Sequence, residues 1–485
     1  MRTKKLSIVA LIATLLLASC QKYEYANVIP GDAAVVASIE WAEIADQGEM
    51  YDSGVVGLLE QSVGLVVSGK GKEKIQEYIK DPFQMGINFR VPMYMFAKPV
   101  PNNYYGLVFS VHSQSKLEEF FNILASQNLC TMQHEEEGRL TGVLLDEICY
   151  SFDSSSLLLL ASTSKSHTKK MMSQILYQNA DQCFVNTPQF EKMNEQDGLI
   201  KLYADNSESF PELAGMDVEM YSAVKFDNGK AIMKLNVAGK TAKEQEKINE
   251  IYANMKKLDG EFDEKMHDDF LVWASAGVKV DWLLEKIKED KKSKLHDILF
   301  AVERVIDIEQ MINTIDGDAT VVAYDELKDN PYIFMAEIKN NDFLKDVDYW
   351  MESMKEYGAR MKNTGGNNYL LAYEFDRLYW GVNNDGDELY FSSESAFNKI
   401  CFESDSKALE EYKDEIKNCY LFAYVNFDNL PYINSLHGFG APMLKKILGR
   451  FKCLVIKSQQ VGEIQVELEM KDKKDNFLKQ VLEWN

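Results

Sequence analysis

The sequence predicts an α+β fold made of two tandem related domains, each an antiparallel β-sheet with helices packed on one face. Three observations carry this reading. The same order of elements recurs about half a chain apart. The strand-like runs alternate apolar and polar residues, the mark of antiparallel strands with one wet face. The helix-like runs carry a single apolar stripe, as a helix packed on a sheet should.

The first half opens with a strand-like run from Asp32 to Ile39 and a helix at Trp41, and the second with Asp269 to Ala276 and a helix at Trp282 to Ile287. Two strands and a helix follow in each. In the first half these are Met93 to Ala97, a turn at Asn102-Asn103, Leu107 to Val111 and a helix from Ser115. In the second they are Thr320 to Tyr324, a turn at Asp329-Asn330, Ile333 to Ile338 and a helix from Asp342. Leu117, Phe120, Phe121 and Leu124 form one apolar stripe, and Leu344, Val347 and Met351 form the other. Ser115 with Glu118 reads as a capping box. Ala231 to Val237 and Glu463 to Met470 close the two halves, each followed by a helix, the first from Thr241 to Lys257. The acidic stretch Asp259 to Glu264 reads as the linker, giving domains over residues 20–258 and 265–485. Tyr94, Phe96, Phe109, Tyr379 and Trp380 lie at strand positions and are expected in the core.

Composition narrows the function classes. Of 485 residues, 46% are hydrophobic and 27% charged, which is a globular balance and excludes wholesale disorder. A net charge of -23 argues against nucleic acid as partner and against electrostatic adhesion to anionic lipid.

The first residues read as a signal. Arg2, Lys4 and Lys5 precede an uncharged apolar run from Leu6 to Leu17, too short to span a bilayer. Leu17-Ala18-Ser19-Cys20 then resembles the bacterial lipobox. That resemblance implies cleavage after residue 19 and a diacylglyceryl group on Cys20, which makes Cys20 the membrane attachment. The following Gln21 to Tyr25, with Glu24 as its acidic residue, partly resembles the signal that sends Bacteroidetes lipoproteins to the outer face of the outer membrane. The expected location is the outer membrane, facing the periplasm or the cell surface.

Three further stretches carry a family resemblance: Val28 to Val36, Asp81 to Phe89 running into Pro92 to Phe96, and Ile315 to Thr320. Together they resemble Bacteroidetes lipoproteins grouped under a domain of unknown function. The resemblance implies a Gram-negative envelope lipoprotein and supplies no activity, cofactor or catalytic residue.

The candidate chemistry is thin. Gly64 to Gly71 fits G-x-x-x-x-G-K, but Gly71 stands where a phosphate loop needs Ser or Thr, so a helix stop is the better reading. Asn383 to Glu388 lacks the alternating ligands of a calcium loop and reads as a hairpin turn. His134 to Glu137 reads as a solvated loop. No H-E-x-x-H, C-x-x-C or G-x-S-x-G motif occurs. Cys130, Cys149, Cys183, Cys401, Cys419 and Cys453 allow bridges in an exported protein; at most one is expected, Cys130 with Cys149 the first guess.

These features point to a non-enzymatic binding or scaffolding lipoprotein, with no catalytic residue, metal or cofactor assigned. The membrane is reached through Cys20, and a protein or glycan ligand is expected in the cleft between the two domains. The alternative is an envelope or surface hydrolase of polysaccharide using a carboxylate pair.

Overall fold

The alternating runs become long antiparallel strands in the computed structural model. It describes residues 23–483, apart from 53, 99–102, 136–137, 163–164, 206–215, 292–295, 297–299, 301–302, 304–305, 325–330, 374–375, 394–405 and 431–440. Cys20, Asn102, Glu136, Glu137, Asp329, Asn330 and Cys401 lie outside the described residues. The chain divides into two units, Met1–Glu244 with Lys473–Asn485, and Gln245–Asp472.

The first unit holds β1 (Val35–Ile39), β2 (Met93–Lys98), β3 (Tyr104–Ser110), β4 (Cys130–His134), β5 (Leu140–Leu144), β6 (Ile148–Phe152), β7 (Ser156–Ser162), β8 (Ile200–Asp205), β9 (Val218–Asp227) and β10 (Lys230–Gly239). They pair antiparallel in the order β4-β5-β6-β7-β3-β2-β1-β8-β9-β10.

The second unit holds β11 (Met255–Lys256), β12 (Phe270–Val278), β13 (Ile315–Tyr324), β14 (Tyr332–Ile338), β15 (Arg360–Gly365), β16 (Asn368–Tyr373), β17 (Asp376–Val382), β18 (Glu388–Ser392), β19 (Leu421–Asn426), β20 (Phe451–Ser458) and β21 (Glu463–Met470). Its antiparallel order is β15-β16-β17-β18-β14-β13-β12-β19-β20-β21, with β11 on β12. The fold is therefore mixed α+β with antiparallel sheets.

Helices do not keep to one face of the first sheet. The helix Gln114–Ser126 buries Leu117, Phe121 and Leu124 against Tyr150, Phe152 and Leu157 on one side. The helix Lys165–Leu176 buries Met172 and Ile175 against Val143, Cys149, Leu158 and Leu160 on the other. The reason is visible in β7: Ser156-Leu-Leu-Leu-Leu-Ala-Ser162 is apolar on both faces, so both must be covered. In the second unit the helix Val347–Glu356 buries Val347, Trp350 and Met354 against Tyr369, Trp380 and Leu389.

Several boundaries differ from expectation. The helix at 114–126 takes Ser113 as its N-cap, so Ser115 lies inside the first turn rather than capping it. The helix expected over 241–257 spans Ala242–Ala253, and β11 follows. The acidic stretch 259–264 is not an exposed linker: Leu258 and Phe262 are buried in the second core beside Trp273 and Phe422. The terminal helix Phe477–Leu482 belongs with the first unit, where Phe477 stacks on Phe226 at 6.0 Å. Tyr94, Phe96 and Trp380 are buried as expected, while Phe109 and Tyr379 are half-buried.

Candidate functional site

Alternation gives each sheet two faces, and the register decides which residues share them. In the first unit one face is filled by Val36, Tyr94, Phe96, Tyr104 and Val108. On the opposite face Ala37 stands between Leu202 and Met95, Met95 opposite Leu107, and Leu107 opposite Leu159. That row continues to Tyr150, which stacks on Phe121 of helix 114–126 at 4.1 Å. The helix covers only this end. Towards β2 and β3 the face opens: Met95 is 44% exposed and Tyr105, opposite Ala97, is 57% exposed.

The second unit repeats the pattern. Ala274 stands between Ala423 and Val321, Val321 opposite Phe334, Phe334 opposite Phe391, and Phe391 opposite Trp380. Trp380 stacks on Tyr369 at 4.5 Å in the core under helix 347–356. Away from that helix, Val321 and Tyr332 are each 41% exposed. Neither row contains a charged side chain. Alanines at the centre with larger side chains around them make a shallow apolar bed.

The carboxylates that gather in the second unit are turned inward. Asp318 is 2% exposed; its Oδ1 accepts the Asp259 N–H at 3.0 Å, and its Oδ2 accepts those of Gly260 at 2.7 Å and Glu261 at 3.3 Å. Its own N–H donates to Glu337 Oε2 at 2.6 Å. Glu388, opposite Glu337 in the register, pairs with Lys265. Burial pushes the Asp318, Glu337 and Glu388 carboxyls above their ordinary values, although backbone N–H groups pull Asp318 and Glu337 back and Lys265 pulls Glu388 back. Asp318 and Glu337 hold backbone in place, and Glu388 holds Lys265.

Two cavities flank helix 165–176 in the first unit. One, of about 220 Å³, has Val143, Cys149 and Met172 in its lining together with Gln133, Glu135, Lys169 and Tyr177. The other, of about 500 Å³, is lined by Asp32, Tyr104, Gln174, Gln178, Asp181 and Thr187 among others. Asp32 and Asp181 share this second cavity, but the Asp32 side chain is 69% exposed and paired with Lys98. In the second unit a cavity of about 640 Å³ is lined by Asp281, Glu285, Glu289 and Glu309, of which Glu289 and Glu309 pair with Lys286 and Lys288. A general acid needs a less solvated setting.

The remaining sequence candidates resolve as follows. Cys130, Cys149, Cys183, Cys419 and Cys453 are buried free thiols. Cys130 and Cys149 cannot meet, because β5 separates their strands and the two side chains point to opposite faces, into different cores. Gly64 to Gly71 is the break between helices Gly54–Val66 and Gly69–Lys80, not the strand-to-helix turn of a phosphate loop. The Asn383 side chain accepts the N–H groups of Gly386, Asp387 and Glu388 at 2.9, 3.0 and 3.2 Å and so closes the hairpin turn between β17 and β18. His134 is exposed at the end of β4 and lies 3.8 Å from Glu118. Among the described residues, no group of His, Cys, Asp and Glu side chains is placed to hold a metal.

Comparison with known proteins adds the family. The family model described as a domain of unknown function, DUF4836, matches residues 25–478. The chain belongs to the DUF4836 family. A search of curated proteins finds no match. Among solved structures the chain is similar to the protein titled TP0453. Crystal form IV has 15% identity and TM-score 0.29 over 44% of this chain and 80% of that one, and crystal form III has 14% and 0.27 over 47% and 86%.

In this chain the three stretches picked out in the sequence serve the architecture. Gly31 N donates to Gln182 O at 2.7 Å, and a Cβ on Gly31 would stand 2.9 Å from that oxygen. Gly86, at φ 91°, lets the loop after Asp81 approach the start of helix 114–126, where a Cβ would stand 2.3 Å from Ser113 O. A Cβ on Gly317 would strike the Glu337 carboxylate at 2.0 Å. Of the open apolar faces, Met95 falls within the stretch Pro92 to Phe96, whereas Tyr105, Val321 and Tyr332 fall outside all three stretches. Sequence reading missed them because an apolar strand residue reads as core whether or not anything covers it.

Proposed function

We propose that this is a non-enzymatic, lipid-anchored binding protein of a Bacteroidetes cell envelope, held at the outer membrane through Cys20, that docks partner proteins on its open sheet faces. The lipobox resemblance supports the anchor. Among the described residues no helix is long and apolar enough to cross a membrane, which is compatible with attachment by lipid. The two units are read as copies of one ancestral unit, and their matching strand order from β4 to β10 and from β15 to β21 supports that.

One observation carries the binding reading. The uncharged row around Ala37 and Met95 recurs around Ala274 and Val321, at the same place in the same strand order. A flat apolar bed suits a protein surface better than a small polar ligand. The carboxylate-pair hydrolase would draw on Asp32 and Asp181, where Asp32 is given to solvent, or on the cavity of Asp281, Glu285, Glu289 and Glu309, where Glu289 and Glu309 pair with Lys286 and Lys288.

The test is site-specific photocrosslinking in the native cell. A photoreactive phenylalanine replaces Tyr105, Tyr332 or, as an exposed control, Tyr349. Discrete protein adducts at 105 and 332, lost with Met95→Lys and Val321→Lys respectively, are expected. Adducts no different from those at 349 would sink the reading.

A further inference from the structure

The helix Gly54–Val66 of the first unit reads Gly-Val-Val-Gly-Leu-Leu-Glu-Gln-Ser-Val-Gly-Leu-Val. Its single charge, Glu60, is paired with Lys80 at 3.2 Å. Leu58 is 53% and Leu59 43% exposed, and a Cβ built on Gly54 or Gly57 would meet open space. A helix that displays leucines to the outside and carries one charge, already paired, is unusual on a surface bathed only by water.

What covers it follows from the chain before it. Tyr23 packs edge-on against Phe190 at 5.2 Å, and Tyr25 Oη donates to Pro92 O at 2.6 Å just before β2. The N-terminal segment is therefore fixed to the end of the sheet where β1 stops at Ile39 and β2 begins at Met93. From that same end the chain runs through helix Trp41–Gln47 and the turn Met50–Asp52 into Gly54. Three residue steps separate Cys20 from Tyr23, a reach of at most about 11 Å. A lipid on Cys20 thus holds this end of the first unit against the bilayer with no free tether.

We infer that helix 54–66 is a second membrane contact, lying in the interface of the bilayer that carries the Cys20 lipid. The inference rests on the proposed anchor. Interfacial helices bind through buried apolar area. With a net charge of -23 the chain cannot draw membrane attraction from overall basic charge, so an apolar helix whose one charge is paired is the fitting device.

The test uses the full chain, purified from the envelope and reconstituted into phosphatidylethanolamine–phosphatidylglycerol vesicles with brominated acyl chains. Bimane is placed at Leu58→Cys and, for reference, at Tyr349→Cys. Quenching at 58 at least twofold stronger than at 349, and reduced by Leu59→Glu beside the probe, is expected. Equal quenching at the two positions overturns the inference. Palmitate incorporation, with Cys20→Ala as control, reports the anchor separately. If no palmitate is incorporated the anchor falls, and the quenching comparison on the same vesicles still decides the helix.

Discussion

The carboxylate of Asp318 accepts the backbone N–H of Gly260 at 2.7 Å, tying β13 to a segment 58 residues earlier. Asp259 and Glu261 donate to the same carboxylate. Asp318→Ala leaves three donors in a buried place without their acceptor. We expect a loss of about 3 kcal/mol in unfolding free energy, read by urea denaturation. A change below about 0.5 kcal/mol, the range of ordinary surface substitutions, would show the tie to be idle.

The same acids set a pH dependence. Burial raises Asp318, Glu337 and Glu388 above their ordinary values, so the folded chain holds their protons more tightly than the unfolded one. Their contribution therefore stabilises as pH falls from neutral through the raised values, and levels off below the ordinary carboxylate range. Asp197, Glu264 and Asp316 shift the opposite way through their pairs with Lys225, Lys413 and Lys256, but they lie largely in solvent and weigh less. Asp153, lowered despite its burial by the N–H groups of Ser155 and Ser156, offsets part of the effect. The melting midpoint is expected to rise between pH 7 and about pH 5, and Glu337→Gln is expected to reduce that rise. A midpoint that falls steadily over this range contradicts the assignment.

Gly86 is tested by Gly86→Ala. A Cβ there stands 2.3 Å from Ser113 O and 2.9 Å from Leu117 N, and φ is 91°. Strain and collision act together, so a loss of about 2 kcal/mol or more is expected. Gly138→Ala is a control for φ alone, since Gly138 at φ 76° has nothing within 4 Å of a Cβ, and should cost less.

The thiols give a fourth check. Cys130, Cys149, Cys183, Cys419 and Cys453 are free and buried, and burial raises the pKa of Cys130, Cys183, Cys419 and Cys453. They should resist a thiol reagent in the folded chain and react after denaturation without any reductant. Peptide mapping that finds Cys130 bridged to Cys149 would overturn the register of β4, β5 and β6.

Much of the architecture was legible because strand alternation and helix stripes are local. Leu117, Phe121, Leu124 and Val347 are buried as their spacing requires, while Phe120, Leu344 and Met351 of the same stripes are half-buried and Trp350 and Met354 take the buried places in the second. What was not legible depends on which distant residue faces which. Cys130 and Cys149 look like neighbours in sequence, and only the register through β5 parts them. Asp259 to Glu264 looks like a solvated linker, until Asp318 consumes its N–H groups and Phe262 enters the core. The open faces at Met95 and Val321 are the clearest case: their residues carry the pattern of a core, and nothing local tells that the covering helix stops short.

The claim that these faces bind a partner is tested most directly at Met95 by oxidative footprinting with mass spectrometry. At 44% exposure, Met95 should oxidise readily in the purified chain, whereas Met335 at 1% and Met354 at 2% should not. In intact cells the account predicts that Met95 becomes protected while Met335 and Met354 are unchanged. Equal oxidation of Met95 in cells and in the purified chain would mean that nothing docks there, and the binding function would fall.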